Sequence, residues 1–172
     1  MIPSITQLER KNEDSLAVYI NSGKTTFANA MAMAPDHGTV PTIGVSCKMF
    51  KRDGITCTVW DMSGQAEVRS DWAQYANGCA VICVIVDTQA PSQLAIVKRE
   101  LHQMRLDSHL AKIPLLIVAN KIDLGPKCTE REIITGLNLD YIMETSWLLI
   151  HASAKSGENI DKAVRFLLKY AQ

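Results

Sequence analysis

The sequence predicts an α/β domain with a six-stranded, mostly parallel sheet, one antiparallel hairpin strand, and helices on both faces. Strand-like apolar segments alternate with helix-like patterns, which implies parallel strands joined by right-handed crossovers. An Asp53-Gly54 pair separates two strand patterns and predicts a β-hairpin. The polar motifs follow strands directly, and in such sheets ligands bind beyond the carboxyl ends of the strands.

Six segments have the length and apolar pattern of strands, and they cover residues 15–20, 44–50, 55–60, 79–86, 113–119 and 147–152. The segment Cys79 to Val86 is continuously apolar and β-branched, as expected of a strand buried on both faces. Two helices are predicted from apolar residues on one face, after a Ser92 cap behind Pro91 and in the last segment. Their apolar positions are Leu94, Val97, Leu101 and Met104, and Ile160, Val164, Leu167 and Leu168.

The length of 172 residues suits one domain, which we place at residues 15–172 after an N-terminal segment, 1–14, that is frayed or a short amphipathic helix. Eighteen basic and eighteen acidic residues give a net charge of zero, so nothing indicates the basic field of a nucleic-acid-binding protein. Five cysteines without a CxxC pair are typical of a reducing compartment. We expect a cytoplasmic monomer, at most peripherally associated with an intracellular membrane.

The first motif is Asn21-Ser22-Gly23-Lys24-Thr25-Thr26, which follows a strand and opens a helix. Backbone N–H groups at a helix start bind phosphate, so this context predicts a phosphate loop. Lys24 would reach the β- and γ-phosphates, and the Thr25 hydroxyl would ligate Mg²⁺. A Gly-Lys-Thr triplet by itself is more often an ordinary solvated helix start.

The phosphate loop departs from its usual pattern. The form GxxxxGK[ST] has a glycine five positions before Gly23, and Val18 stands there. That glycine allows a tight turn without a Cβ. Two interpretations stay open: the loop is altered, or a few residues are missing relative to the usual form.

A second motif ends the hairpin, where Asp61 can hold Mg²⁺ through its water shell. Gly64 can offer its N–H to the γ-phosphate, and Gln65 can orient the attacking water. Thr42, before the hairpin, would supply a second Mg²⁺ ligand. In isolation, these residues would be interpreted as ordinary turns.

The identity of the nucleotide base is indicated by a third motif, Asn120-Lys121-Ile122-Asp123, which follows the fifth strand. The Asp123 carboxylate can accept both the N1 and N2 protons of guanine, a pattern that adenine lacks. Ser153-Ala154-Lys155 follows the sixth strand, where a backbone N–H can meet guanine O6 and the lysine stem can cover the base. The conjunction of these motifs, each at a strand's carboxyl end, predicts a guanine-nucleotide site.

From Ser15 onward the chain resembles the Arf and Arf-like branch of the Ras superfamily. The resemblance lies in residues 21–26, Pro41-Thr42-Ile43-Gly44, Trp60-Asp61-x-x-Gly64-Gln65 and Arg69-x-x-Trp72-x-x-Tyr75. It implies a Ras-like P-loop GTPase domain that binds GTP or GDP with Mg²⁺. It also implies effectors, exchange factors and GTPase-activating proteins that bind the switch regions.

Within those regions the resemblance assigns partner contacts to Val45, Trp60, Trp72 and Tyr75. Trp60 and Tyr75 resemble two members of the family's aromatic effector triad, and Val45 stands where the third is usually Phe. Residues 61–65 resemble a ciliary relative. We favour instead the Arf-like subfamily that positions lysosomes along microtubules, which the chain resembles in residues 23–27, Arg69-Ser70-x-Trp72, residues 100–102 and residues 137–139.

The leading hypothesis is a switch that hydrolyses GTP slowly and recruits effectors in membrane trafficking or organelle transport. The alternative, motivated by Val18, is a degenerate guanine-nucleotide-binding scaffold with little or no hydrolysis. A third, an ATP-dependent small-molecule kinase, shares the phosphate loop, but Asn120 to Asp123 argue against it.

Overall fold

The computed structural model describes residues 15–19, 23–33, 45–52, 55–62, 79–125 and 128–170. The strands of this part are β1 (Ser15–Tyr19), β2 (Val45–Arg52), β3 (Ile55–Met62), β4 (Val81–Asp87), β5 (Leu115–Asn120) and β6 (Trp147–His151). Its helices are α1 (Lys24–Met31), α2 (Leu94–Met104), α3 (Glu130–Leu137) and α4 (Ile160–Tyr170). None of these four helices combines the length and the apolar character that crossing a membrane requires.

The strands form one six-stranded sheet in the order β2-β3-β1-β4-β5-β6. Four neighbouring pairs are parallel: β1 with β3, β1 with β4, β4 with β5, and β5 with β6. The strands β2 and β3 pair antiparallel, from Val45 opposite Met62 to Arg52 opposite Ile55. The predicted mostly parallel sheet with one antiparallel hairpin strand is therefore confirmed.

The two faces of the sheet are covered by different helix pairs, because successive side chains of a strand point to opposite faces. On one face, Ile82 and Val84 of β4 belong to a buried cluster with residues of α2 and α3. On the other, Cys83 and Ile85 belong to a cluster with residues of α1 and α4. Every residue of β4 and β5 is buried, as the continuously apolar sequence of β4 predicts.

Two helix starts differ from the prediction. Ser92 is not the cap of α2: Pro91 to Gln93 form a short 3₁₀ turn, and α2 begins at Leu94 without a side-chain cap. Proline has a fixed φ and no N–H, so it suits the first position of a turn, and the turn leads directly into the helix. The helix α3 was not predicted, although its capping box between Thr129 and Glu132 is a sequence signal for a helix start.

Candidate functional site

The carboxyl ends of the parallel strands bring the predicted base-binding residues to one edge of the sheet. Asp87 ends β4, Asn120 ends β5, and the two residues are paired in register. His151 ends β6 two positions before Ser153. The predicted site residues of this edge are therefore gathered by sheet topology.

Gly23 is the residue that brings the start of α1 against this edge. Its φ of +89° lies in the left-handed region, and a Cβ built on it would stand 2.6 Å from Asn120 Nδ2. Only glycine avoids both the backbone strain and this overlap. The Gly23 carbonyl then accepts the Phe27 N–H at 2.8 Å, which starts the helix, and the fully buried Phe27 fixes the helix to the sheet.

Asn120 joins three segments of the chain and is only 2% exposed. Its side-chain Oδ1 accepts the Ala154 N–H at 3.0 Å, which ties the segment after β5 to the segment after β6. Its main-chain carbonyl accepts the Thr88 N–H at 3.1 Å and the Thr88 hydroxyl at 3.0 Å. The predicted base-binding asparagine is thus a structural junction as well as part of the site.

Asp123 is oriented by a buried serine. The hydroxyl of Ser153 donates to Asp123 Oδ1 at 2.7 Å, and its oxygen accepts the Ser156 N–H at 3.0 Å. Ser153 has no exposed surface, whereas Asp123 is exposed. A fixed partner beneath an exposed carboxylate holds its acceptor atoms in one orientation, which suits recognition of paired N–H donors.

Lys121 adopts a left-handed backbone conformation, with φ 71° and ψ 33°, as the residue before the 3₁₀ turn Ile122–Leu124. Its Nζ lies 2.9 Å from Asp87 Oδ2, in an ion pair whose carboxylate side chain is 9% exposed. A left-handed non-glycine residue is strained, and such strain is retained where surrounding contacts enforce it. The Asp87 contact is one of these.

Most of these residues line a cleft of about 310 Å³, which is within the range of small-ligand sites, whereas Asp87 and Ser153 lie behind them. Its lining residues are Gly23 and Thr26 of the α1 start, Asn120, Lys121, Asp123 and Leu124 after β5, and Ala154 and Lys155 after β6. A larger groove of about 550 Å³ lies between β6 and α4. It contains no predicted site residue, so the smaller cleft, with its convergent polar groups, is the better candidate site.

The structure describes some of the residues that are predicted to bind the phosphates and Mg²⁺. Lys24 and Thr25 form the first turn of α1, and the backbone of Asp61 pairs with β1 and β2. The remaining predicted residues, Asn21, Ser22, Thr42, Gly64, Gln65, Trp72 and Tyr75, lie outside the described residues. Among the residues that are described, no group of three or more His, Cys, Asp or Glu side chains could hold a metal ion.

Val18 lies inside β1, with Asp61 of β3 as its partner on one side and Cys83 of β4 on the other. The strand extends to Tyr19, so at most residues 20–22 separate it from Gly23. In the GxxxxGK[ST] pattern, the first glycine and four further residues precede the glycine that stands before the lysine. The chain is therefore shorter here than that pattern requires, which favours missing residues over a glycine replaced by valine within a loop of the usual length.

Asp87 and Leu124 were not identified from the sequence as site residues. Asp87 directly follows the predicted fourth strand, so the rule that ligands bind at strand carboxyl ends would have selected it. Leu124 is 61% exposed and adds an apolar wall to the cleft. No local pattern distinguishes it from other turn leucines.

The sheet order, the helix start at its carboxyl edge and the buried asparagine junction together define a Ras-like α/β nucleotide-binding domain. A solved structure with a similar fold is that of the Arl6 BBS3 small GTPase from Trypanosoma brucei, which contains the nucleotide analogue GppNp. The TM-score is 0.81 at 24% sequence identity, over 91% of this chain and 95% of that one.

Residues 8–171 match the sequence profile of the ADP-ribosylation factor family, so the chain belongs to this family of small GTPases. Two relatives from Arabidopsis thaliana are ADP-ribosylation factor-like proteins 8b and 8c. Each is 28% identical over 165 residues, which are 95% of this chain and 90% of the relative. The recognition of an Arf-like small GTPase from the motifs is confirmed.

Proposed function

We propose that this Arf-like protein is a guanine-nucleotide switch that binds GTP or GDP with Mg²⁺ and hydrolyses GTP slowly. The observation that carries the proposal is the base end of the cleft. There Asp123 is held by Ser153 at 2.7 Å, and Asn120 joins the segments after β4, β5 and β6 beside Gly23. The family, whose members hydrolyse GTP, and the GppNp-bound fold relative support the same ligand.

The base would be recognised by complementary hydrogen bonds. The Asp123 carboxylate accepts the N1 and N2 protons of guanine, and the Lys121 stem and Leu124 supply apolar contact to the ring. The Ala154 N–H already donates to Asn120 Oδ1 at 3.0 Å. Guanine O6 therefore either shares that N–H or receives the next one, from Lys155.

The phosphates would lie at the start of α1, where the helix N-terminus and Lys24 favour negative charge. Thr25, Asp61 and Thr42 are the residues proposed to hold Mg²⁺, which neutralises charge developing on the phosphates. Gln65 would orient the attacking water. No cis arginine is assigned, so an activating protein's arginine would raise the rate by about 10³- to 10⁵-fold.

The first test is the nucleotide content and base preference of the purified protein. We expect co-purified GDP or GTP, and displacement of fluorescent GDP by GDP but not by ADP. Asp123→Asn should weaken guanine binding and favour xanthine, because the amide donates to xanthine O2 where the carboxylate accepted the guanine amino group. Equal competition by ADP would contradict the proposal and favour an ATP-binding protein.

Hydrolysis has its own test. Gln65→Leu should lengthen the lifetime of bound GTP in single-turnover measurements while leaving GDP affinity unchanged. A matched control is Gln103→Leu, on the exposed side of α2. If Gln65→Leu and Gln103→Leu hydrolyse GTP at the same rate as the unaltered protein, Gln65 does not place the water.

A second candidate function, a guanine-nucleotide-binding scaffold with little or no hydrolysis, is favoured by the position of Val18 inside β1. The short connection to Gly23 leaves fewer backbone N–H groups for the phosphates. If this candidate is correct, guanosine should bind nearly as tightly as GDP, and Mg²⁺ should change the affinity little. A large preference for GDP, strengthened by Mg²⁺, would support the switch instead.

For the cellular role, we propose a monomeric, cytoplasmic or peripherally membrane-bound protein of membrane trafficking or organelle transport. Two observations support this role: the resemblance of the motifs to the lysosome-positioning subfamily, and the similarity to ADP-ribosylation factor-like proteins 8b and 8c. Effectors would contact Val45, Trp60, Trp72 and Tyr75 in the GTP-bound state. Trp60→Ala should reduce GTP-dependent capture of partners without changing nucleotide affinity, and unchanged capture would remove Trp60 from the contact surface.

A further inference from the structure

The turn that follows β4, Asp87-Thr88-Gln89, contacts the base-recognition segment Asn120–Gly125 at three places. Thr88 donates twice to the Asn120 carbonyl, at 3.0 and 3.1 Å. The Asp87 carboxylate meets Lys121 Nζ at 2.9 Å. The Gln89 side-chain amide donates to the Gly125 carbonyl, at the far end of the segment.

Each Asp87 carboxylate oxygen has a distinct partner. Oδ1 accepts the Gln89 N–H at 2.9 Å, which shapes the turn, whereas Oδ2 binds Lys121. The Asp87 side chain is 9% exposed, so the carboxylate is fixed in a largely desolvated position, whereas the Lys121 side chain is 38% exposed and remains partly open to solvent. One residue therefore links the conformation of the turn to the position of the lysine.

Lys121 has an unfavourable backbone conformation, of the kind that is retained where surrounding contacts enforce it. Its φ of 71° directs the chain from β5 into the 3₁₀ turn that presents Asp123. Within this turn, Leu124 N–H donates to the Lys121 carbonyl at 3.1 Å and Gly125 N–H to the Ile122 carbonyl at 3.0 Å. Release of the lysine would therefore loosen the turn that carries the guanine-recognition carboxylate.

We propose that Asp87 is a positioning residue for guanine-nucleotide binding, which acts through Lys121 to hold segment 121–125 in its binding conformation. The inference rests on the proposed function of the cleft. Asp87 contacts Lys121 and is not among the residues that line the cleft, so its effect on the nucleotide must depend on the presence of the Lys121 ammonium group. This dependence separates positioning from a general contribution to folding.

The test is a double-mutant cycle on the dissociation rate of fluorescent GDP. Asp87→Asn keeps an oxygen for the Gln89 N–H but removes the charge opposite Lys121, and it should raise the rate about tenfold. In a Lys121→Met background the same change should have almost no further effect. An equal increase in both backgrounds would overturn the proposal, because it would show that Asp87 does not act through Lys121.

The control is Asp107→Asn, because Asp107 also accepts the N–H two residues ahead, that of His109 at 2.8 Å, but lies beyond the carboxyl end of α2. It should leave GDP dissociation unchanged. A similar acceleration by Asp107→Asn would assign the effect to general destabilisation and overturn the proposal.

Hydrogen–deuterium exchange of the nucleotide-free protein separates failure of this inference from failure of the proposed function. Asp87→Asn should speed exchange over residues 121–125 about tenfold, and Asp107→Asn should not. If the protein binds no guanine nucleotide, the proposed function fails, and positioning for that ligand fails with it. If it binds GDP but exchange over 121–125 is unchanged by Asp87→Asn, only the positioning role is overturned.

Discussion

A methyl group added at position 23 should disrupt the base end of the cleft by displacing the Asn120 side chain. In Gly23→Ala, the new Cβ would stand 2.6 Å from Asn120 Nδ2, closer than unbonded atoms of this kind approach, and the backbone would keep a φ of +89°. The left-handed conformation costs an alanine about 1–2 kcal/mol. Because Asn120 is 2% exposed, its amide has little room to move away.

Displacement of Asn120 should lengthen or break the hydrogen bond that its Oδ1 accepts from the Ala154 N–H at 3.0 Å. Leaving a buried polar group without its partner costs about 1–3 kcal/mol. If that cost falls on the nucleotide-bound conformation, GDP affinity should drop about 5- to 150-fold. The assay is displacement of fluorescent GDP, with thermal unfolding measured on the same samples.

Gly157→Ala provides a matched control, because Gly157 has a φ of +80° but its added Cβ would have no neighbour within 4 Å. It should lose stability to a similar extent, about 1–2 kcal/mol, yet keep its GDP affinity. Equal losses of GDP affinity in the two variants would refute the reasoning, since backbone strain and not contact with Asn120 would then be responsible. Unchanged GDP affinity in Gly23→Ala would refute it as well.

Three further changes test other parts of the structure. Ser153→Ala removes the hydroxyl that donates to Asp123 at 2.7 Å. Because hydrogen bonds to charged groups contribute about 1.5–3 kcal/mol, GDP dissociation should accelerate at least about tenfold in stopped-flow measurements. An unchanged rate would show that Asp123 does not need the Ser153 hydrogen bond to bind GDP. Cys47 is the exposed thiol among the five cysteines, and burial raises the pKa of the Cys79 thiol to about 12. One equivalent of Ellman's reagent should therefore react quickly, and this fast phase should vanish in Cys47→Ser. More than one fast equivalent would contradict the burial of the other four thiols. Thr129→Ala removes the capping box and should lower the free energy of unfolding by about 1 kcal/mol in urea titrations. An unchanged free energy of unfolding would show that the capping box does not stabilise the protein.

The same capping box should make the free energy of unfolding depend on pH. The Thr129 backbone N–H and hydroxyl donate to the Glu132 carboxylate and hold its pKa below the ordinary value. A depressed folded-state pKa means that the stabilisation is present above the unfolded-state pKa and is lost as pH falls through the folded one. The stability difference between the unaltered protein and Glu132→Gln should therefore shrink in acid, and a constant difference down to the acid limit would contradict the role of the charge.

The strands were predictable because their signal is local. The apolar run from Cys79 reports a strand buried on both faces, and the observed β4 begins two residues later, at Val81. The helix α3 has an equally local signal in Thr129 and Glu132, but its short apolar pattern of Ile133 and Leu137 is weaker than those of α2 and α4. Pro91 illustrates the opposite case, because a sequence pattern alone does not distinguish a capped helix from a 3₁₀ turn that leads into one.

By itself, the sequence determined the α/β class, the mostly parallel sheet with its hairpin, and the guanine-nucleotide motifs at the strand ends. Periodicity, turn residues and motif spacing depend only on neighbours along the chain. The tertiary structure decided which atoms of those motifs meet: Asn120 with Gly23 and Ala154, and Lys121 with Asp87. The two hydrogen-bonded pairs each join residues 34 positions apart, and β4, β5 and β6 bring them together only when the strands pair in register. The same register placed Val18 inside a strand, which no reading of the loop motif alone could establish.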